Sequence, residues 1–311
     1  MSWPSKNQNN KDANKSSSSI NDPVLAAFQF TIFSVPISET WISTMRSIFD
    51  GLDEVCDKWL GVDASWQGKP PHYKRKINLQ QLCQNGWGDL CGQHLMENLY
   101  NQILKNWTGC PCNGKQNWRF EKRPHLGKSN HRPEVTLEKT ITRITDDNWV
   151  NQVPTASGVD STGGKHCIDL IHRDRAVFTF IELKVKSDHP LYAAFEIIKY
   201  GMVYVFSRIH TEQLGYKVKN KELLRANEVR LQVLAPPAFY AAESIKWLRS
   251  LELCLNNGLE VFAQKELQIP MSFNFFVFPT TFAWNPACHE DLEVRKNLLW
   301  ALHNTTPLDG H

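Results

Sequence analysis

The chain has 311 residues, of which 41% are hydrophobic and 22% are charged, and its formal net charge is +3. This composition is ordinary for a globular protein, and the length suffices for one large domain or two small ones. The low net charge excludes nucleic-acid binding by bulk charge alone, so such a partner would need a local basic surface. The sequence holds neither an apolar run long enough to span a membrane nor the apolar segment of a signal peptide. We therefore expect no membrane partner. Because the eight cysteines form no disulfide-like framework, we also expect reduced thiols in a cytoplasmic protein.

The N-terminal part of the chain is predicted to be a tail followed by helices. Residues 1–22 are rich in Ser, Asn and Lys, which predicts a disordered tail. Residues 23–132 form a mainly helical region, in which an apolar strand-like run over 24–36 precedes two amphipathic helices, one over about 38–60 and one over 90–107. These helices could make a separate subdomain or elaborate the core that follows.

A polar segment that is rich in cations, residues 109–132, ends this N-terminal region. Its cations are interleaved with Trp118 and Phe120, and such a combination can contact phosphates and stack on bases or sugars. An ordinary solvated loop is the alternative. The candidates for nucleic-acid contact in this segment are Arg119, Lys122 and Arg123.

From residue 133 onward the order of predicted elements is helix, three strands, helix and strand. Apolar residues at helical spacing predict a helix over 133–144, and a candidate first strand follows over 148–153. Glu138 lies on this helix, and an ordinary exposed glutamate is one interpretation of it. A loop rich in Gly and Ser, over 157–165, leads into the next strand.

The second and third strands alternate between apolar and polar residues. Ile168 and Leu170 flank Asp169, and the run that follows alternates Glu182 and Lys184 with apolar residues. The polar segment between the two runs predicts a hairpin that turns at residues 175 and 176.

This hairpin would place Asp169 opposite Glu182, with side chains on one face about 5 Å apart. Two carboxylates this close repel each other unless a cation lies between them, and Mg²⁺ is a hard cation that binds carboxylate oxygens. Lys184 lies on the same face as Glu182. Its ammonium group could therefore position a metal-bound water or neutralise the negative charge of a phosphate.

Asp169, followed thirteen residues later by Glu182-Leu183-Lys184, resembles the motif of the PD-(D/E)XK nuclease superfamily. The chain is similar to the family pattern of helix, three-stranded meander, helix and strand over about 133–234, although Ile168 stands where the family often has proline. The resemblance implies an α/β protein with a restriction-endonuclease-like core, a mixed β-sheet flanked by helices. This core would occupy residues 133–311 together with a C-terminal extension.

The resemblance also implies an activity, the metal-dependent hydrolysis of phosphodiester bonds in nucleic acid, with DNA favoured over RNA. Asp169 and Glu182 would bind Mg²⁺, or Mn²⁺ in its place, with help from the carbonyl group of Leu183. Lys184 would orient the attacking water, and Glu138 could be a third acidic ligand. A homodimer would be compatible with cutting both strands of a duplex.

The helix after the motif is predicted over 191–209, and in the family this helix carries polar side chains toward the active site. Lys199 is its candidate for nucleic-acid contact, and a surface ion pair between Lys199 and Glu196 is the alternative. The remaining nucleic-acid candidates flank the hairpin strands and are Lys186, His172 and Arg173.

The C-terminal part of the core is predicted from its alternating and helical patterns. A fourth strand over 228–234 would lie beside the third strand through a helical crossover. A helix over 243–255 and a closing strand over 269–278 follow.

Two other functions stay open at this point. The first is a nucleic-acid-binding or scaffold protein that keeps the nuclease fold without cleaving. The second is an α/β interaction protein in which the charged face of the strands is exposed to solvent.

Overall fold

The structure, a computed structural model, describes residues 47–62, 72–74, 91–112, 114–127, 132–156, 166–186, 189–241 and 243–308. The predicted tail over 1–22, the apolar run over 24–36 and the loop over 157–165 lie outside the described residues.

The described residues form an α/β protein of seven α-helices and six strands. In chain order the elements are α1 (Leu52–Trp59), α2 (Gly92–Asn106), α3 (Pro133–Ile144), β1 (Trp149–Pro154), β2 (Cys167–Asp174), β3 (Val177–Leu183), α4 (Pro190–Ile209), β4 (Glu228–Ala235), α5 (Pro237–Tyr240), α6 (Ile245–Leu267), β5 (Met271–Val277), α7 (Leu292–His303) and β6 (Thr306–Pro307).

All six strands belong to one mixed sheet in the order β1-β2-β3-β4-β5-β6. The first three strands form an antiparallel meander, β3, β4 and β5 run parallel, and β6 is antiparallel to β5. Parallel neighbours require a long crossover connection. Here α4 supplies the crossover from β3 to β4, and α6 supplies the crossover from β4 to β5.

Two hydrophobic clusters cover the two faces of the sheet, and β3 contributes to both. Phe178 and Phe180 belong to the large cluster, which includes residues of α1, α2, α4 and α6. Ile181 and Leu183 belong to the small cluster, which includes residues of α3 and α7. Burial of apolar side chains in these clusters is the main force that stabilises the fold. The helices therefore form a layer on each side of the sheet.

Most core elements lie where the sequence predicts them. The helix predicted over 133–144 is α3 with the same bounds, and α4 begins at Pro190, one residue before the predicted start. The exception is α6, which continues to Leu267 although its predicted end is residue 255.

The continuation of α6 has a packing reason at Gly258. A Cβ atom at this position would lie 2.2 Å from the backbone carbon of Gly92. Gly258 therefore permits the close approach of α6 and α2, and it does not end the helix.

The first amphipathic helix is shorter than predicted within the described residues. Ile48 and Phe49 lie in a turn, and α1 begins only at Leu52, after Gly51 with a left-handed φ of 77°. The predicted start near residue 38 lies outside the described residues. In the described part of the chain, no helix is both long and apolar enough to cross a bilayer.

The N-terminal helices pack directly on helices of the core. α2 contacts α6 and α4, and α1 contacts α2. On the other face of the sheet, α3 contacts β1 and α7. This arrangement leaves the ends of β2 and β3 between α3 and α4, where the motif residues lie.

Candidate functional site

The hairpin of β2 and β3 brings the two predicted acidic residues together. Its turn is formed by residues 175–176, as predicted. The antiparallel register, in which Leu170 pairs with Ile181, places Asp169 across from Glu182. Burial raises the pKa of Glu182, and the negative charge of Asp169 contributes to this rise. The predicted pairing of the two carboxyl groups is therefore confirmed.

The main chain at the end of β3 is held on both sides. The backbone N–H of Leu183 donates to Oδ2 of Asp169 at 3.1 Å, while the Leu183 side chain is buried in the small cluster. The backbone N–H of Lys184 donates to the carbonyl oxygen of Leu234 at 3.0 Å. These bonds fix the motif residues against β2 and β4.

Lys184 places its ammonium group between two carboxylates. Nζ lies 2.8 Å from Oε1 of Glu182 and 3.0 Å from Oε2 of Glu196, which α4 contributes. Glu182 and Lys184 are only 3% and 7% exposed. The alternative in which this charged face is exposed to solvent is therefore wrong.

Glu138 of α3 joins the same acidic environment from a second helix. It is 2% exposed, so the alternative of an ordinary exposed glutamate is wrong. Its Oε2 accepts a hydrogen bond of 2.6 Å from Nε2 of Gln152 on β1. Its Oε1 is buried and has no hydrogen-bond partner among the described residues. The carboxyl group of Glu138 therefore has one hydrogen-bonded oxygen and one oxygen that is free to bind a cation.

The alternation of β1 and β2 breaks where the acidic residues lie. Ile168 packs in the large cluster with Ile171, although Leu170 between them packs in the small cluster. In the same way, Val150 and Val153 of β1 both pack in the large cluster. Residues three apart in a regular strand would face opposite sides of the sheet. The prediction that Ile168 and Leu170 share one apolar face is therefore wrong.

Burial and mutual repulsion shift the pKa values of the acidic residues upward. Burial raises the pKa of Asp169 to about 6 against the opposing charge of Lys184. Burial and then the charge of Asp169 raise the pKa of Glu138 to about 8. Burial, with Asp169 and Glu196, raises the pKa of Glu182 well above its ordinary value. Burial opposes the charged form of Lys184, but the three neighbouring carboxylates raise its pKa overall.

The donor atoms of this site are suited to a hard cation. Carboxylate and carbonyl oxygens are the ligands that Mg²⁺ binds, and a cation relieves repulsion between carboxylates. The opposed carboxyl groups of Asp169 and Glu182 and the Glu138 oxygen without a hydrogen-bond partner fit this chemistry. As arranged here, the side chains of the described residues include no group of three or more His, Cys, Asp or Glu that could hold a metal ion.

The predicted cations of the segment before α3 are engaged in local contacts. Lys122 Nζ donates to the Thr145 carbonyl oxygen at 3.0 Å, and it also pairs with a neighbouring aspartate. Arg123 donates through Nη2 to Gln116 at 3.2 Å. Arg119 lies 3.9 Å from a carboxylate oxygen of Glu121 in a solvent-exposed pair.

Arg123 is the cation of this segment with an electrostatic link to the site. Its charge acts on the thiol of Cys167 at the start of β2, where burial raises the thiol pKa to about 11 and Arg123 opposes that rise. Cys167 is separated from Asp169 by one residue. The backbone N–H of Arg123 donates to the side chain of Asn151 on β1 at 2.9 Å, so Arg123 lies beside the strand that pairs with β2.

Two further candidates, Lys199 and Lys186, follow the motif along the chain. Lys199 Nζ lies 2.6 Å from Oδ1 of Asp53 on α1 and donates to the Tyr73 hydroxyl at 2.9 Å. The alternative pair of Lys199 with Glu196 does not form, because Glu196 binds Lys184. Lys186 is exposed, and its backbone N–H donates to Glu134 of α3.

His172 and Arg173, the other two candidates, lie toward the turn end of β2. The His172 ring lies 4.5 Å from the Trp149 ring, and His172 lines a cavity of about 270 Å³ that Ile181 of the small-cluster face also lines. Arg173 pairs with Glu222 at 3.2 Å. Neither side chain is brought together with Glu182, because His172 lies on the small-cluster face of the sheet and Arg173 lies at the turn end of the hairpin, opposite Phe178.

Two site residues, Gln152 and Glu196, are missed by the sequence analysis as members of the acidic cluster. Glu196 has a signal, because it is the acidic residue of a largely apolar helix, α4, and a charge against an apolar core needs a partner. No sequence signal identifies Gln152, because its position depends on a left-handed φ of 51° that glutamine rarely adopts.

Comparison with known proteins identifies no relative. The chain matches no protein-family model, no curated protein and no solved structure. The geometry of the site is therefore the basis for assigning its chemistry.

Proposed function

We propose that the protein is a Mg²⁺-dependent nuclease of the PD-(D/E)XK superfamily with a restriction-endonuclease-like fold, and that Mn²⁺ can replace Mg²⁺. The observation that carries this proposal is the hairpin register that places Asp169 across from Glu182, whose carboxylate lies 2.8 Å from the ammonium group of Lys184. A buried cluster of this composition is costly to fold and therefore favours a functional role.

The order of the elements supports the same proposal. The family pattern of helix, three-stranded meander, helix and parallel strand corresponds to α3, β1-β2-β3, α4 and β4. The acidic residues lie on the second and third strands of the meander, where the motif requires them. Fold alone does not assign function, so the site residues carry more weight than this order.

The residues of the site have distinct roles in the proposed reaction. Asp169 and Glu182, with the carbonyl group of Leu183, would hold the cation. Mg²⁺ supplies Lewis-acid chemistry, because it makes water more acidic and stabilises negative charge on the phosphate. Lys184 orients the water that attacks phosphorus and stabilises the charge that develops on the phosphate oxygens.

Glu138 contributes a third carboxylate from α3. Its unused Oε1 is the oxygen available for a cation, since Oε2 accepts the amide of Gln152. Glu196 binds the ammonium group of Lys184 and thereby restricts its position. The site therefore combines two strands and two helices.

The proposed substrate is nucleic acid, and DNA is the first to test. Arg119, Lys122, Arg123, His172, Arg173, Lys186 and Lys199 stay predictions for nucleic-acid contact. Of these, Lys186 is exposed and follows the motif closely, and Arg123 lies beside β1. A homodimer also stays a prediction.

Cleavage of labelled linear duplex, single-stranded and branched DNA and of RNA tests the proposal. Each substrate is incubated with Mg²⁺, with Mn²⁺ and with EDTA. We expect metal-dependent cutting that Asp169→Asn and Lys184→Met abolish. Asp57→Asn is the matched control, because Asp57 is a buried aspartate that accepts a backbone N–H from Tyr73 away from the site.

Two outcomes would overturn the assignment. Salt-sensitive binding of nucleic acid without cleavage by the wild type would favour the non-cleaving scaffold. Cleavage that survives both site substitutions would mean that the reaction takes place elsewhere in the chain.

A further inference from the structure

We infer that Gln152 is a positioning residue, which holds the carboxylate of Glu138 so that one of its oxygens is directed to the cation site. This inference rests on the proposed function, because it concerns the ligand set of the same metal. Gln152 itself would touch neither the cation nor the substrate.

The position of Gln152 follows from the register of β1 and β2. Asn151 pairs with Leu170 and Val153 pairs with Ile168, so the intervening Gln152 lies across from Asp169. The two strands lose their regular alternation at this pair of residues. Gln152 and Asp169 therefore occupy one local irregularity of the sheet, a feature that is frequent next to active sites.

The backbone of Gln152 adopts a conformation that is unfavourable for a residue with a side chain. Its φ of 51° lies in the left-handed region, which costs free energy for any residue except glycine. Its neighbours hold it there. The buried Asn151 side chain binds the backbone N–H and carbonyl oxygen of Arg123 at 2.9 and 3.1 Å, and Val153 is buried in the large cluster.

This backbone conformation allows the Gln152 side chain to form a hydrogen bond with Glu138. Nε2 of Gln152 donates to Oε2 of Glu138 at 2.6 Å. A bond to one oxygen restricts rotation of the carboxyl group, so the other oxygen keeps a fixed direction. That other oxygen, Oε1, is buried and has no partner among the described residues.

Residues that orient a ligand without binding the metal have a measurable influence on affinity. Loss of such a residue typically lowers metal affinity by about 10- to 100-fold. Gln152→Leu removes the amide and keeps a side chain of similar size at the same backbone position. We expect this variant to bind Mg²⁺ at least about tenfold more weakly than the wild type in a calorimetric titration.

The full chain provides a matched control at Gln268. This glutamine also has a left-handed φ of 57°, but it caps the C-terminal end of α6 and is exposed. Gln268→Leu makes the same chemical change in the same backbone conformation. Its Mg²⁺ affinity is expected to equal that of the wild type.

A double-mutant cycle separates positioning from general structural support. If Gln152 acts through Glu138, then Gln152→Leu has no further effect on Mg²⁺ affinity in a Glu138→Ala background. A second readout needs no metal. The amide of Gln152 opposes the rise in the Glu138 pKa, so the pKa of Glu138, measured by carboxyl ¹³C titration, rises in Gln152→Leu.

The outcomes separate this inference from the proposed function. If the wild type binds no Mg²⁺, both fail. If the wild type binds Mg²⁺ and Gln152→Leu binds it equally well, only the positioning role fails. The positioning role also fails if the losses of Mg²⁺ affinity caused by Gln152→Leu and Glu138→Ala add up in the double variant. Additive losses would show that Gln152 does not act through Glu138.

Discussion

The ammonium group of Lys184 lies 3.0 Å from a carboxylate oxygen of Glu196, and this ion pair joins the strand that carries the motif to the helix that covers it. Glu196 is therefore part of the electrostatic environment of the site. Its negative charge raises the pKa of Glu182, after burial and Asp169, and it also contributes to the raised pKa of Asp169.

Replacement of Glu196 is expected to shift the pH dependence of metal binding. In Glu196→Gln the amide oxygen can still accept from Lys184, but the charge is lost. The pKa values of Asp169 and Glu182 then fall, so these carboxylates are ionised at lower pH. We expect the midpoint of Mg²⁺ binding on the acid side to move down by roughly half a pH unit to one unit.

Glu252→Gln is the control for this shift, measured by calorimetric titration of Mg²⁺ from pH 5 to pH 9. Glu252 is a helical glutamate on α6 that accepts the backbone N–H of Phe275 on β5 at 2.6 Å. Its replacement should leave the midpoint unchanged. An equal midpoint in Glu196→Gln and the wild type would contradict the electrostatic role of Glu196.

Lys184→Met is expected to separate metal binding from cleavage. The substitution removes a cation from between a buried and a partly buried carboxylate, which destabilises the metal-free protein by about 3 kcal/mol. Mg²⁺ then no longer competes with a fixed positive charge, so it binds more tightly and restores more of the lost thermal stability than it adds to the wild type. Cleavage is lost because no ammonium group orients water.

A second buried lysine provides the comparison for Lys184→Met. Lys221 is 5% exposed and donates to the carbonyl oxygen of Asn117, in a segment away from the acidic residues. Lys221→Met should lower the melting temperature without changing the increment that Mg²⁺ adds. If Mg²⁺ stabilises Lys184→Met less than it stabilises the wild type, Lys184 assists the binding of the cation and does not compete with it.

The predictable part of the fold follows from local signals. Pro133 in the first turn and regular apolar spacing define α3. The two-residue turn of the hairpin defines the register that places Asp169 across from Glu182. The alternation of Glu182 and Lys184 also indicates that they share a face. These features depend on neighbours in the sequence.

The remaining features depend on contacts between distant parts of the chain. The rotation of α4 against the sheet decides that Glu196 contacts the site while Lys199 contacts Asp53 of α1. Close packing against Gly92 decides that Gly258 lies inside α6. The left-handed backbone of Gln152 is held by its neighbours, and no property of glutamine predicts it.

Glu138→Gln is expected to make the metal-free protein more stable at alkaline pH. Burial and Asp169 raise the pKa of Glu138 from 4.5 to about 8 in the folded protein. Between these values the folded state keeps a proton that the unfolded state has lost, so the free energy of unfolding falls as the pH rises and levels off above about 8. A glutamine at this position cannot ionise and removes this dependence.

Urea unfolding in EDTA at pH 5 and at pH 9 measures this effect. At pH 9 we expect Glu138→Gln to exceed the wild type by roughly 2–4 kcal/mol in the free energy of unfolding, and at pH 5 the difference should fall below about 1 kcal/mol. Glu222→Gln, which alters a half-exposed carboxylate in a pair with Arg173, should show no such pH dependence. A constant difference between Glu138→Gln and the wild type at both pH values would mean that Glu138 is ionised in the metal-free protein throughout this range, and that its burial is offset by a cation or donor other than Gln152.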